Sequence, residues 1–218
     1  MSDFQGEKKL VLEFFDEVNK ADVDKLSNVV SKYTSENFKM RCTHPFNELS
    51  GAEQVANNLW KPIKDSFSPI QRRMDVFYAG INSHDINEGK WVSSMGHFMG
   101  IFNKEFLGLK PNLKSILLRY AEFYKVENNK ITEGAIFLDI INLMQQLGVS
   151  IIPESTGLVC VTPGPMNHKG LKFAESNSDE SIKTLNLIHR MRDRLVKGSK
   201  MMSFKKELEL DWHKDMIW

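Results

Sequence analysis

The sequence predicts an α+β fold in which a long antiparallel sheet curls over a set of leading helices. Three observations point to it. Apolar residues recur at helical spacing through residues 10–33. From Gln71 the pattern changes to strand-like runs: RRMDVFYAGI, WVSSMGHFMGIF, ILLRYAEFYKV and ITEGAIFLDI. The polar tips SHDINEGK and ENNK separate those runs, as expected of strands joined in a meander. A sheet bent over helices in that way leaves a cone-shaped cavity.

Leu10, Val11, Phe14, Phe15 and Val18 share one helical face, and Val23, Leu26, Val29, Val30 and Tyr33 share a second, with Asp22 suited to cap the second helix. NFKMRCTHPF reads as a short strand that leaves at His44-Pro45. Ser50 and Glu53 then have capping-box spacing for a helix to about Trp60, with Pro62 marking its end. KEFLGLKPNLK is the longer connection of the meander, and Asn128-Asn129 is the turn of its tightest hairpin. Alternation groups Glu133, Ala135, Phe137 and Asp139 on one face, provided no bulge intervenes.

SIIPESTGLVCVTPGPMNHKG is rich in Pro, Gly and Ser and reads as an irregular connection wrapping over the sheet. Beyond it a helix from about Asp179 places Ile182, Leu185, Ile188, Met191 and Leu195 in one stripe expected to be buried. KGSKMM breaks it, and a second helix carries Phe204, Leu208, Leu210 and Trp212. The expected organisation is a domain at 1–150, a connector at 151–178 and a helical extension at 179–218. The extension repeats the order of residues 10–40, with Trp212 and Asp215 standing where Tyr33 and Glu36 stand.

The chain has 218 residues, 29 basic and 28 acidic, and neither sign collects into a block. No footprint for nucleic acid or an anionic membrane is present, and the expected partner is a small molecule or another protein. No apolar run approaches the roughly 20 residues that span a bilayer. Cys42 and Cys160 form no CxxC pair, and MSDFQGEKKL lacks the apolar core of a secretory signal, so both thiols are expected free and the protein cytoplasmic. No HxH, HExxH or CxxC occurs, and no phosphate loop, dinucleotide fingerprint or nucleophile elbow, so neither metal nor cofactor is expected.

GHFMGIFNKEFLGL, from Gly96 to Leu109, and EFYKVENNKITEGAIFLDIINLMQQLG, from Glu122 to Gly148, carry a resemblance. With the preceding helices they are similar to the SnoaL-like polyketide cyclases of the nuclear transport factor two-like superfamily, over roughly residues 7–150. THPFNELSG and the Pro-Gly-rich connector resemble tandem members, which would make residues 179–218 the opening helices of a second domain. The resemblance implies a cone-shaped α+β barrel, usually dimeric, with a pocket at its open end. It also implies intramolecular aldol ring closure without metal or organic cofactor, with an aspartate as acid/base. Asp139 matches that position. ITEGAIF departs from the family, whose cyclases often carry a histidine and a tryptophan there.

Asp139 ends an apolar strand just before a helix, a place suited both to a helix cap and to a desolvated acid/base. Glu122 shares a face with Leu118, Tyr120 and Tyr124, either as a pocket acid or as one end of a buried ion pair. Arg119 lies on the other face. His97, beside Met95 and Met99, is a satisfied core histidine or a second catalytic group; His44, at the mouth, is a rim histidine or a substrate-orienting one. Phe46, Trp60, Met95, Met99, Tyr120 and Phe137 are candidates to line an apolar pocket, and each is equally ordinary core. Two functions follow: a cyclase or isomerase acting on a small apolar carbonyl compound, or a non-catalytic ligand-binding or dimerisation module of the same fold. A homodimer is expected, through the C-terminal stripe.

Overall fold

The computed structural model describes residues 4–82, 88–149, 151–153, 164–165, 167–197 and 203–213. Two compact units form, one ending at Ala174 and the other comprising residues 175–218. Cys160, Asp215 and Trp218 lie outside the described residues.

In the first unit, α1 (Gln5–Lys20) and α2 (Leu26–Tyr33) lead into β1 (Thr34–Cys42) and the short β2 (Glu48–Ser50). The expected apolar faces are the buried ones: Leu10, Val11, Phe14, Phe15 and Val18 from α1, and Leu26, Val30 and Tyr33 from α2. Asp22 makes no cap; its carboxylate accepts from Lys25 Nζ at 2.9 Å, in a short 3-10 turn preceding α2. Ser50 makes no side-chain cap either, and its own N–H donates to Gln54 rather than to Glu53. The helix there also runs past Pro62. α3 (Gly51–Val55) passes through a turn of π-helix, Ala56–Trp60, into α4 (Lys61–Ser66). Pro62 directly follows the π-helical turn, in which Lys61 N–H reaches back five residues to Ala56 O, so the wider turn takes up the proline without ending the helix.

The sheet follows from β3 (Phe67–Asn82), β4 (Gly89–Phe102), β5 (Ser115–Glu127) and β6 (Lys130–Leu138), in the order β2-β1-β6-β5-β4-β3. β3 to β6 form the expected antiparallel meander, whereas β1 lies parallel to β6. Asn128 and Asn129 both have positive φ, 50° and 57°, the conformation that twists a two-residue turn to match its strands. Two glycines permit close approach: a Cβ on Gly96 would stand 1.9 Å from the Arg73 carbonyl oxygen, and one on Gly134 would stand 2.4 Å from Met40 Sδ.

One sheet face packs on α1 and the π-helical turn. Phe14 and Phe15 meet Tyr124 edge-on at 5.6 and 5.7 Å, and Trp60 meets Phe98 at 6.0 Å. The opposite face leaves Tyr78 and Phe137 exposed. The connector adds to β3, where Phe77 N–H donates to Gly170 O and Lys172 N–H to Phe77 O. α5 (Ile140–Gln146) closes the far end of β5, with the Gln146 side chain bonded to both backbone groups of Leu117.

The second unit holds α6 (Ser178–Lys197) and α7 (Phe204–Asp211). Asp211 ties them, accepting from Arg190 Nε at 3.0 Å and Arg194 Nη1 at 2.6 Å. The stripe expected to be buried is open: Ile182, Leu185, Ile188 and Leu195 are each about half exposed or more.

Candidate functional site

The inner face of the sheet is apolar except at one place. Register sets Arg72 opposite Phe98 on β4, and Glu122 on β5 opposite Ser94. Alternation then carries Arg72, Ser94, Phe98, Tyr120, Glu122 and Tyr124 into the interior. The Arg72 guanidinium bonds Glu122 through Nη1 and Oε2, and both side chains are almost fully buried, at 2% and 0%. The cation lies 3.9 Å from the Phe15 ring centre, 4.7 Å from Phe98, 5.1 Å from Tyr120 and 5.4 Å from Trp60. A charge so placed is held by its partner and by the ring faces, not by water.

The pair leaves work undone. Arg72 Nε and Nη2, Glu122 Oε1, Trp60 Nε1 and the Tyr124 hydroxyl are buried without a hydrogen bond of good geometry among the described residues. Each such atom costs about 1–3 kcal/mol if nothing meets it. Burial raises the Glu122 carboxyl above its ordinary value of 4.5; Arg72 opposes the shift, and so does Tyr124, close enough to act on it though its hydroxyl is not aligned to bond. Ser94 Oγ and Tyr120 Oη satisfy one another at 3.2 Å.

Asp139 stands between β6 and α5, half-buried. Its carboxylate accepts the Asn142 N–H at 2.9 Å as the cap of α5, and its own N–H donates to Arg119 O. It falls on the alternation set of Phe137, and that set faces outward. Phe137 is accordingly 56% exposed, with its ring edge-on to Phe123, outside the cone rather than lining it.

His97, Met95 and Met99 also belong to the outer face, because Gly96, Phe98 and Gly100 take the inner positions of that strand. His97 is buried there, with Nδ1 3.2 Å from Asp75 Oδ2. Asp75 is the extra residue of a β-bulge between Met74 and Val76, which turns its carboxylate onto the histidine. Burial lowers the His97 pKa, and Asp75 works against that shift. His44 is exposed beside a cis peptide to Pro45, and Phe46, partly buried, meets Phe106 at 6.2 Å. Of the residues singled out from sequence, Trp60, Tyr120 and Glu122 are brought together; Asp139, His44 and Phe46 lie away from them, and His97, Met95, Met99 and Phe137 are on the other face. Arg72 was missed. The signal available was an arginine at an inward-phased position of an otherwise amphipathic strand.

Among the described residues no group of three or more His, Cys, Asp or Glu side chains is placed to hold a metal ion, and no helix is long and apolar enough to cross a membrane. Cys42 is free, and burial pushes its thiol up to about 12.

A comparison with curated proteins found none that matches. Solved structures do. AclR of Streptomyces galilaeus, provisionally named a hydroxylase, is 21% identical, with 65% of this chain and 96% of that one covered at a TM-score of 0.51. Proteins of Acidithiobacillus ferrooxidans and Xanthomonas campestris pv. campestris, both provisionally named polyketide cyclases, are each 18% identical. The first covers 68% of this chain and 98% of its own at 0.52, the second 67% and 99% at 0.51. These likenesses agree on the fold. The family model described as SnoaL-like polyketide cyclase matches residues 9–147, nearly two thirds of the sequence, and the chain belongs to that family.

Proposed function

We propose that the chain binds a small, largely apolar carbonyl compound inside the cone and acts on it as a cofactor-free cyclase or isomerase. The observation that carries this reading is the set of unpartnered buried polar atoms on Arg72, Glu122, Trp60 and Tyr124 within an aromatic wall. Buried polar groups in folded proteins are met by protein, water or ligand. Two N–H donors beside a carboxylate suit a carbonyl oxygen next to an acidic C–H. Asp139, where the family resemblance puts the acid/base, adds a carboxylate beyond the end of β6, where it caps α5. The free Cys42 thiol suits a reducing cytoplasm, and the open apolar stripe on α6 suits a homodimer.

A second reading has its own support. Phe98, Tyr120, Trp60 and Glu122 are at most 2% exposed, and two clefts of about 740 and 490 Å³ lie away from this cluster. A cone filled by its own side chains fits a non-catalytic module. Titration with 2-tetralone, followed at the indole N–H resonance of Trp60, separates them. Binding in the cone shifts that resonance, identified by its loss in Trp60→Phe. Shifts confined to Tyr78, Trp91 and Phe123, which line the smaller cleft, would contradict the proposal.

A further inference from the structure

The carboxylate–guanidinium contact uses only one atom of each planar group. Arg72 Nη1 and Glu122 Oε2 are consumed; Glu122 Oε1 and the Arg72 Nε and Nη2 donors remain. An acceptor and donors therefore stand together on neighbouring groups, enclosed by Phe15, Phe98, Tyr120 and Trp60. The ligand complementary to such an arrangement carries an acidic C–H adjacent to a C=O. Asp139 offers no equivalent: its carboxylate accepts from the first turn of α5, and among the described residues no cation is bonded to it.

We infer that Glu122 and Arg72 are the proton-transfer pair of this cone, and that the ligand class is an enolisable ketone. This rests on the reading that the cone binds a carbonyl compound. Glu122 Oε1 takes the α-proton; the C–H electron pair moves into the carbon framework and the charge settles on the carbonyl oxygen. Arg72 Nη2 and Nε, with Trp60 Nε1 among the remaining donors, hold that oxyanion. The proton then returns to carbon. In a ring closure the enolate carbon instead attacks a second carbonyl of the same molecule, and the proton goes to the new alkoxide. No oxidant, reductant or metal enters the balance. Two features favour the interior acid over Asp139: the Arg72 donors stand beside the Glu122 carboxylate, and the aromatic wall excludes the water that would weaken the oxyanion contact.

The test is hydrogen–deuterium exchange at the α-carbons of 2-tetralone in D₂O, followed by proton NMR with the buffer rate subtracted, while the Trp60 indole resonance reports binding. The intact chain is expected to accelerate exchange, and Glu122→Gln to lower the protein-dependent rate by about 100-fold or more with binding retained. The wild-type rate should rise with pH as Glu122 loses its proton. If Glu122→Gln fails to fold, Glu122→Asp, which keeps the charge and withdraws it by one methylene, should lose about tenfold. An unchanged rate in the folded Glu122 variant, or a larger loss in Asp139→Asn than in Glu122→Gln, overturns the assignment. Binding without exchange by the wild type overturns this inference alone; absence of binding in the cone overturns the functional reading beneath it as well.

Discussion

At the scale of single residues the most consequential group is Glu122, because its burial ties stability to pH. Burial holds its carboxyl above 4.5, so over a window above that value the folded chain keeps a proton that the unfolded chain has released. Stability attributable to this group therefore falls as pH rises through the window. Glu122→Gln has no proton to lose, so melting curves from pH 4 to 8 should show the difference between the variant and the wild type moving in the variant's favour as pH rises; parallel curves would contradict the raised value. Removing only the cation, as in Arg72→Met, should cost about 3–5 kcal/mol, and Arg72→Met/Glu122→Leu should recover part of it, as denaturant titration would show. At Asp139 the expectation is smaller. Asp139→Asn keeps a good cap and should leave the melting temperature within a few degrees, whereas Asp139→Ala should cost about 1 kcal/mol. Glu122's face was legible in the sequence, since period-2 alternation groups it with Leu118, Tyr120 and Tyr124. Arg72 was not, because its partner is 50 residues away and only the β3-β4-β5 order brings them together.

Between elements, the meander was readable because each strand carries its own alternation and each tip its turn chemistry. What could not be read was which face is the inside. Phe137 and Phe123 are as apolar as Phe98, and composition does not say that the former pair lies outside. The glycines of GHFMG held the answer: Gly96 and Gly100 are small because β3 crowds the inner side of that strand, and this fixes His97 on the outer side. Gly96→Ala should therefore destabilise by about 2 kcal/mol or more, since its Cβ would stand 1.9 Å from a backbone oxygen that cannot move without breaking the β3–β4 ladder. Thermal unfolding would show it; a wild-type melting temperature would mean that the strands have room to part. The helical run to Ser66 was cut short in the sequence reading because Pro62 looks like a stop, and a π-helical turn just before it is not encoded by any simple period. That turn places Trp60 against Phe98 and Arg72.

For the whole molecule the apolar stripe of α6 is the largest demand for a partner surface. Ile182, Leu185, Ile188 and Leu195 are about half exposed, and each forfeits roughly 1 kcal/mol relative to full burial. A second copy of the chain presents the same stripe, and a two-fold pairing would cover both. Deleting residues 175–218 is expected to turn a dimer into a monomer by light scattering, and an unchanged dimer would exclude the stripe as the interface. The function proposed for the cone depends on its buried charges serving a ligand. The most direct measurement is a crystal structure of the intact chain soaked with a mixed library of small ketones and phenols. Density for an oxygen-bearing ligand is expected against Arg72, Glu122 and Trp60 Nε1; density confined to the surface clefts, with those atoms met by water alone, would rule out a ligand site in the cone.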